Sequence, residues 1–315
     1  MYIGIDIGGT NLKYGIVDSD GNIYHQSSIH TVHGKDPHRI ITDIIECIYS
    51  LSQYSDEVLT VGIGVPGVVD VDGVIRVSPN LPSLNNVNLK KEIEKQVDFP
   101  IAIDNDANAA AVAELEIGAG KDIQHFIYVT LGTGVGGTII SNRQIFRGSI
   151  GGAGEIGHTI IQSFNKKINN IPDFRKGTLE ELTGRMQILD RMKTILKDSD
   201  SKLNDIENYD VKDISNLADA GDSAAAKCLC ETGEYLGIGM ASAMNLLDIP
   251  TIVIGGGISE ASDILFDSIL KTILRRALPT ISERAEIRKA FFRKDAGIIG
   301  AAMLGLNKLK AMDYE

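Results

Sequence analysis

Apolar and polar positions alternate along the chain at two spacings, and the changes between them mark its elements. Residues 2–7 alternate weakly, are rich in β-formers and stop at Gly8-Gly9-Thr10. A second strand is predicted over 13–17, a hairpin turn at Asp18-Ser19-Asp20-Gly21 and a third strand over 23–26. Ile40, Ile41, Ile44, Ile45 and Ile48 keep helical spacing across 39–51. An apolar strand over 60–65 ends at Pro66-Gly67, a turn-rich loop fills 80–88, and a short helix fits 90–97. A buried strand at 101–103 runs into Asp104-Asn105-Asp106. Strong helix formers then occupy 107–117, with Gly118 or Gly120 placed to cap them.

A second block repeats the first. It reads strand 126–130, a Gly-Thr-Gly turn, strand 138–141, a polar turn and strand 144–146. Asp6 lies 12 residues before the Asp18 turn, and Thr130 lies 11 before the Ser141 turn. Such an internal repeat constrains the whole fold and implies two related lobes with a cleft between them. The remainder is mostly helical. Residues 179–196 read as one helix, 198–213 as an exposed acidic connection and 223–247 as a long Ala-rich helix. A strand at 251–254 runs into Gly255-Gly256-Gly257, two helices follow, and 297–309 closes the chain.

Composition narrows the function. A chain of 315 residues suggests about two domains. The net charge of −11 argues against a broad nucleic-acid surface or an anionic-membrane patch. Local phosphate binding by backbone N–H groups or Mg²⁺ is still open. No apolar run approaches the ~20 residues of a membrane span, and the first residues lack a signal-peptide pattern, so a cytoplasmic protein is expected. The 3 cysteines imply no disulfide framework. Of 33 glycines, nine fall between Gly132 and Gly157, which marks a site there.

Three glycine turns follow strands: Gly8-Gly9-Thr10, Gly132-Thr133-Gly134 and Gly255-Gly256-Gly257. Glycine lets backbone approach a phosphate and aim N–H groups at it, although the first turn also suits a plain hairpin. Asp6 could hold Mg²⁺ through water, and Thr10 and Lys13 could touch phosphate oxygens. One residue of Asp104-Asn105-Asp106 suffices to cap a helix, so a surplus carboxylate is available to accept a proton from an attacking hydroxyl. Glu155 and His158 fall one turn apart, on a helix or a tight loop, and suit adjacent hydroxyls, although a lone pair of this kind is more often ordinary surface. Cys228 and Cys230 read as buried thiols, and His25, His30, His33 and His38 as decoration of an exposed loop.

In order, the segments DIGGTN, GIGVPGVVD, DNDANAAAVAE, LGTGVGGTII, GGAGEIGH, MNLLDIPTIVIGGGIS and GIIGAAMLG span essentially the whole chain. On these the sequence resembles the ROK family (repressor, open reading frame, kinase), sugar kinases of the actin-like ATPase superfamily. The resemblance implies an α/β, duplicated actin-like (ribonuclease H-like) two-lobed ATPase fold with a central cleft. A smaller lobe, 1–118, would be completed by helix 298–315, and 119–297 would form the larger lobe. ATP would lie with its phosphates between Asp6, Gly8, Gly9, Thr10, Asn11 and Lys13 on one side and Gly132, Thr133 and Gly134 on the other. Its adenosine would lie near Gly255, Gly256 and Gly257. Gly67, Asn105, Glu155, His158 and Glu180 would hold the sugar, Asp106 would take the proton from its hydroxyl, and Asp6 would hold Mg²⁺ through water. Lobe closure would exclude water.

The implied activity is ATP-dependent phosphorylation of a hexose, glucose to glucose 6-phosphate, by a homodimer or homotetramer without nucleic-acid or membrane partners. N-acetylmannosamine, fructose, allose or a β-glucoside stay open as acceptors, since hydrogen-bond geometry decides among them. The family commonly carries a zinc-binding Cys-x-Cys-Gly-x-x-Gly-Cys-Leu-Glu segment. Here Ile171, Asp173 and Thr178 stand at its cysteines, so no zinc is expected and His158 needs another orienting group. A sugar-sensing repressor of the family would carry a helix-turn-helix ahead of the kinase-like part, whereas the first strand here begins at Tyr2. A chaperone or filament ATPase would lack the DNDAN and GEIGH segments.

Overall fold

The computed structural model describes all residues except 33, 35, 56, 164–170 and 313–315. His33 therefore lies outside the described residues. The chain forms two compact units. One comprises Met1–Gln124, Thr138–Ala153 and Phe291–Glu315; the other comprises His125–Gly137 and Gly154–Ala290.

The first unit opens with an antiparallel meander, β1 (Tyr2–Ile7), β2 (Asn11–Val17) and β3 (Ile23–His30). The Asp18 carboxylate makes its turn by accepting from the Asp20 and Asn22 N–H groups at 2.9 Å each. Helix α1 (Pro37–Ser52) is N-capped by Asp36 and buries Ile40, Ile44 and Ile48. Next come β4 (Thr60–Val65) and a small antiparallel sheet of β5 (Val68–Val69), β6 (Val74–Val77) and β7 (Val87–Asn88). Helix α2 (Leu89–Glu94), strand β8 (Ile101–Asn105) and helix α3 (Asp106–Glu116) complete this stretch. The main sheet has the order β3-β2-β1-β4-β8, with β1, β4 and β8 parallel.

The second sheet has the order β11-β10-β9-β12-β13. It uses β9 (Phe126–Leu131), β10 (Val135–Ser141) and β11 (Gln144–Ile145). Strand β10 starts in the second unit and ends in the first. Helices α4 (Glu180–Thr183), α5 (Arg185–Leu196), α6 (Val211–Asp219) and α7 (Ser223–Leu247) precede β12 (Thr251–Gly255). Then come α8 (Asp263–Arg276), α9 (Pro279–Ser282) and β13 (Glu286–Lys289). Strands β9, β12 and β13 are parallel. Two sheets built alike, a hairpin unit followed by parallel strands, agree with the repeat read from the sequence.

Helix α10 (Ala296–Met312) lies in the first unit and packs on β1, β4 and α3. Alternation puts Ile3, Ile5 and Ile7 on one face of β1, all fully buried, and Gly4 on the other. A Cβ at Gly4 would sit 2.0 Å from the Ile298 carbonyl oxygen, and one at Gly62 would sit 1.7 Å from that of Ala301. Glycine at these positions lets the α10 backbone rest directly on the sheet.

Several expectations need correction. The predicted helix 179–196 is two helices, because Gly184 is extended (ψ 163°) between α4 and α5. The connection 198–213 is not simply exposed: Ser201, Leu203 and Val211 are buried, and Asp210 and Asp213 form the capping box of α6. His25 and His30 lie on β3, where pairing with β2 holds them, and His38 begins α1. Cys230 is exposed; only Cys47 and Cys228 are buried, and burial pushes their thiols up to about 11 and about 12. Residues i and i+2 of a helix cannot share a face, so α7 buries one thiol and exposes the other.

Glu114 of α3 is fully buried (0%). Its carboxylate accepts from Ala119 N (2.7 Å), Phe291 N (3.0 Å) and Phe292 N (2.8 Å), tying the end of α3 to the segment that leads into α10. Glu114→Ala removes this acceptor from three N–H groups. At about 1–3 kcal/mol for each group left unsatisfied, the loss should reach about 3 kcal/mol or more. A clear fall in the thermal midpoint, followed by circular dichroism, is expected; an unchanged midpoint would count against this staple.

Candidate active site

In the first unit, three neighbouring parallel strands end together. Register aligns Asp6 of β1 with Gly64 of β4 and Asp104 of β8. Asp6 is half-buried, and lost solvation raises its carboxyl pKa; the nearby Lys13 charge opposes that rise. The Gly8-Gly9-Thr10 turn is closed by Gly8 N donating to Asn11 O (2.9 Å). Thr31 pins it from outside, through its hydroxyl to Gly8 O (2.8 Å) and its N–H to Thr10 O (2.9 Å). Thr10 and Asn11 are exposed and Lys13 is half-buried, so the turn presents its polar groups to solvent.

Asn105 is the N-cap of α3: its Oδ1 accepts from Ala107 N (2.8 Å) and Asn108 N (3.2 Å). Its Nδ2 donates to Gly67 O (2.9 Å), joining the ends of β4 and β8. A Cβ at Gly67 (φ +120°) would strike the Val77 carbonyl oxygen at 2.1 Å. Asp104 is buried (1%) and Asp106 begins α3, half-buried, with its Oδ1 also accepting from Ala107 N (2.9 Å); Asn105 is the N-cap, with a carboxylate on either side.

The second unit carries the other predicted residues. Gly132 N bonds Gly134 O (3.0 Å) and closes the Gly-Thr-Gly turn; Gly132 O accepts from Arg185 N (3.1 Å). Residues 132–137 match the spacing G-x-G-x-x-G, but the strand β10 follows, not the helix a dinucleotide fold requires. Glu155 starts the 3-10 turn Ile156–His158, and His158 N bonds Glu155 O (3.1 Å). Burial raises the Glu155 pKa; the His158 charge opposes this, and the Glu180 charge adds to it.

Glu180 is held at both oxygens. Oε1 accepts from Arg175 Nη2 (2.7 Å) and Oε2 from Val135 N (2.9 Å). Arg175 also pairs with Glu181 at 2.7 Å. Backbone bonds from Leu179 N to Thr159 O and from Ile161 N to Gly177 O (2.9 Å each) lash 171–180 to the loop after His158. Beside these lies a cavity of about 730 Å³, lined by the Gly132-Thr133 turn, by Arg185 and Asp210, and by Gly257. Its size fits a nucleoside. Gly256 takes φ +84° there, and Gly257 has open space around it.

The family model described as the ROK family matches residues 2–308. The chain belongs to the ROK family. A glucokinase from Halalkalibacterium halodurans is 34% identical over 99% of this chain and 97% of its own length. A xylose repressor from Caldicellulosiruptor bescii is 27% identical over 99% of this chain and 80% of its own length. A Streptomyces griseus ROK glucokinase, solved with glucose and AMPPNP, superposes with a TM-score of 0.78 at 30% identity, covering 97% and 99% of the two chains. The α/β, actin-like fold expected from the resemblance is thus that of this ROK chain.

The segment 171–181 carries an Arg175–Glu180–Glu181 ion-pair cluster. Among the described residues, no group of three or more His, Cys, Asp or Glu could hold a metal ion. Sequence reading missed Arg175, Arg185 and Asp210. The signals were present: the Asp210–Asp213 capping box marks the start of α6, and Gly184 marks a helix break. What the pattern could not supply was the pairing of Arg185 Nε with Asp210 Oδ1 (2.8 Å), 25 residues apart.

A Cβ at Gly134 would lie 2.1 Å from Glu180 Oε2. Gly134→Ala should therefore expel Glu180 from Val135 N and displace the turn. A displacement of ~1 Å in a positioning element costs on the order of 100-fold in turnover. A folded variant with wild-type turnover in an ADP-release assay would contradict this.

Proposed function

We propose that this ROK chain is an ATP-dependent hexose kinase, with the 6-hydroxyl of glucose as acceptor. Asp106 carries the reading: it is a half-buried carboxylate beside the Asn105 cap, at the carboxyl ends of parallel strands, where α/β folds place their ligands. The family's glucokinases and the nucleotide-sized cavity support the same conclusion.

In this mechanism Asn105, Gly67, Glu155, His158 and Glu180 hold the hexose. Each Glu180 oxygen keeps a second lone pair, so the carboxylate meets sugar hydroxyls in the orientation that Arg175 and Val135 impose. The hydroxyl oxygen bonds to the γ-phosphorus of ATP as the bond to the bridging oxygen of ADP breaks, and Asp106 takes the hydroxyl proton. The Gly8-Gly9-Thr10 and Gly132-Thr133-Gly134 turns, with Asn11 and Lys13, meet the phosphate oxygens. Adenosine lies in the cavity near Gly255, Gly256 and Gly257.

Asp6 suits Mg²⁺ held through water. Burial raises the cost of its charge, and a nearby dication would relieve that cost. When bound, Mg²⁺ neutralises charge developing on the β- and γ-phosphates. We place the reaction in the cytoplasm, where ATP is supplied; among the described residues no helix is long and apolar enough to cross a membrane.

Asp106→Ala should lower turnover by about 10²–10⁴-fold. Its hexose dissociation constant, measured by calorimetry, should stay within a few-fold of wild type. A coupled ADP-release assay over a panel of sugars identifies the acceptor. Hexose binding by the wild-type chain without turnover would instead group it with the family's sugar-responsive repressors.

Glu155 supplies a pH signature. With its pKa raised, the carboxyl gains its proton at a higher pH than an exposed glutamate and then no longer offers two acceptor oxygens. The hexose KM should rise as pH falls through that pKa, and Glu155→Gln should raise KM at neutral pH and flatten this limb. An unaltered limb in the variant would remove Glu155 from the sugar site.

A further inference from the structure

We propose that Arg147 is a positioning residue for phosphoryl transfer: its guanidinium grips Asp104 and thereby fixes the turn that carries Asp106. The proposal rests on Asp106 being the base.

Asp104 has lost nearly all contact with water (1% exposed), and a buried carboxylate must be met by donors. Its Oδ1 accepts from Asn105 N (2.8 Å) and Asn108 Nδ2 (2.7 Å). Its Oδ2 accepts from Arg147 Nη1 at 2.5 Å. Asn108 is buried as well, and its Oδ1 takes a hydrogen bond from the buried Thr138 hydroxyl (2.9 Å).

Asp106 thus lies between two anchored neighbours. Asn105 is fixed through its N–H by Asp104 and through its amide by Gly67 and the first turn of α3. Asn108 is fixed by Asp104 on one side and Thr138 on the other. Asp104 is common to both anchors, and Arg147 is the cation in ion-pair contact with it among the described residues.

Arg147 lies 43 residues from Asp104 in sequence, just after β11. Capping alone would be satisfied by Asn105, and neither Asp104 nor Arg147 is needed to start α3. Their pairing determines which way the turn faces. Without the guanidinium, the buried Oδ2 loses its donor, and the Asp104 carboxylate shifts and takes the turn with it. Binding of sugar and nucleotide, made mostly by other residues, should change little, whereas the alignment of Asp106 with the hydroxyl should suffer.

The Arg147 side chain is about one-third exposed (34%) and lines a cavity of about 520 Å³ in the first unit, together with Lys90, Arg143 and Lys308. A small cation can therefore reach the space that a shortened residue 147 would leave.

The test is steady-state kinetics on the full chain with wild type, Arg147→Ala, Arg147→Lys, Asp104→Asn and Asp106→Ala, assayed well below each thermal midpoint. Arg147→Ala and Asp104→Asn should lose 10- to 100-fold in kcat, with the KM values for hexose and ATP within about threefold of wild type. Millimolar methylguanidinium should restore part of the kcat of Arg147→Ala and none of that of Asp106→Ala. Arg147→Lys should fall between wild type and Arg147→Ala, since a point charge lacks the planar fork. Wild-type kcat in Arg147→Ala, or a loss confined to KM with no methylguanidinium rescue, overturns the proposal. Should Arg147→Ala fail to fold, Arg147→Lys decides: reduced kcat at unchanged KM supports the proposal, and wild-type kcat overturns it. If Asp106→Ala keeps its turnover, the reading of Asp106 as base falls; if only Arg147→Ala keeps it, the positioning role alone falls.

Discussion

A carboxylate removed from water must be met by hydrogen-bond donors or a cation, and in the first unit this requirement organises the structure around the site. Glu114 meets three backbone N–H groups and joins α3 to the segment leading into α10. Asp104 meets Asn105, Asn108 and Arg147 and sets the turn beside Asp106. Glu114 and Asp104, each with several donors, serve as fasteners. Asp6 is half-buried; lost solvation raises its pKa, and the nearby Lys13 charge opposes the rise.

The second unit treats its carboxylates differently. Glu180 is fixed at both oxygens, and Glu155 stays accessible with a raised pKa. Through Val135 N, Glu180 also touches the strand that leaves the Gly132-Thr133-Gly134 turn. The residue proposed to hold sugar is therefore one hydrogen bond from the turn proposed to hold phosphate. Arg175 takes part in this arrangement, and its segment is held by an ion-pair cluster and backbone bonds.

Close backbone approach is the other recurring device. The α10 backbone lies on β1 and β4 at Gly4 and Gly62, and Gly67 and Gly134 sit where a Cβ would strike an oxygen. The glycine abundance noticed in the sequence thus has two uses, packing a helix onto a sheet and shaping the turns at strand ends.

Local pattern determined much of this chain. The isoleucine spacing of α1, the alternation of β1, the repeated hairpin units and the run of helix formers in α3 depend on neighbours a few residues apart, so the sequence displays them directly. The residues proposed for the site within contiguous motifs, such as Asn105, Asp106, Glu155 and His158, could be singled out for the same reason. Tertiary structure alone decided the rest. The role of Asn105 as the cap and the pairs Arg147–Asp104, Arg185–Asp210 and Arg175–Glu181 depend on groups brought together in space. An arginine carries no mark in sequence of the carboxylate it will neutralise; burial of that carboxylate in the folded chain makes the choice.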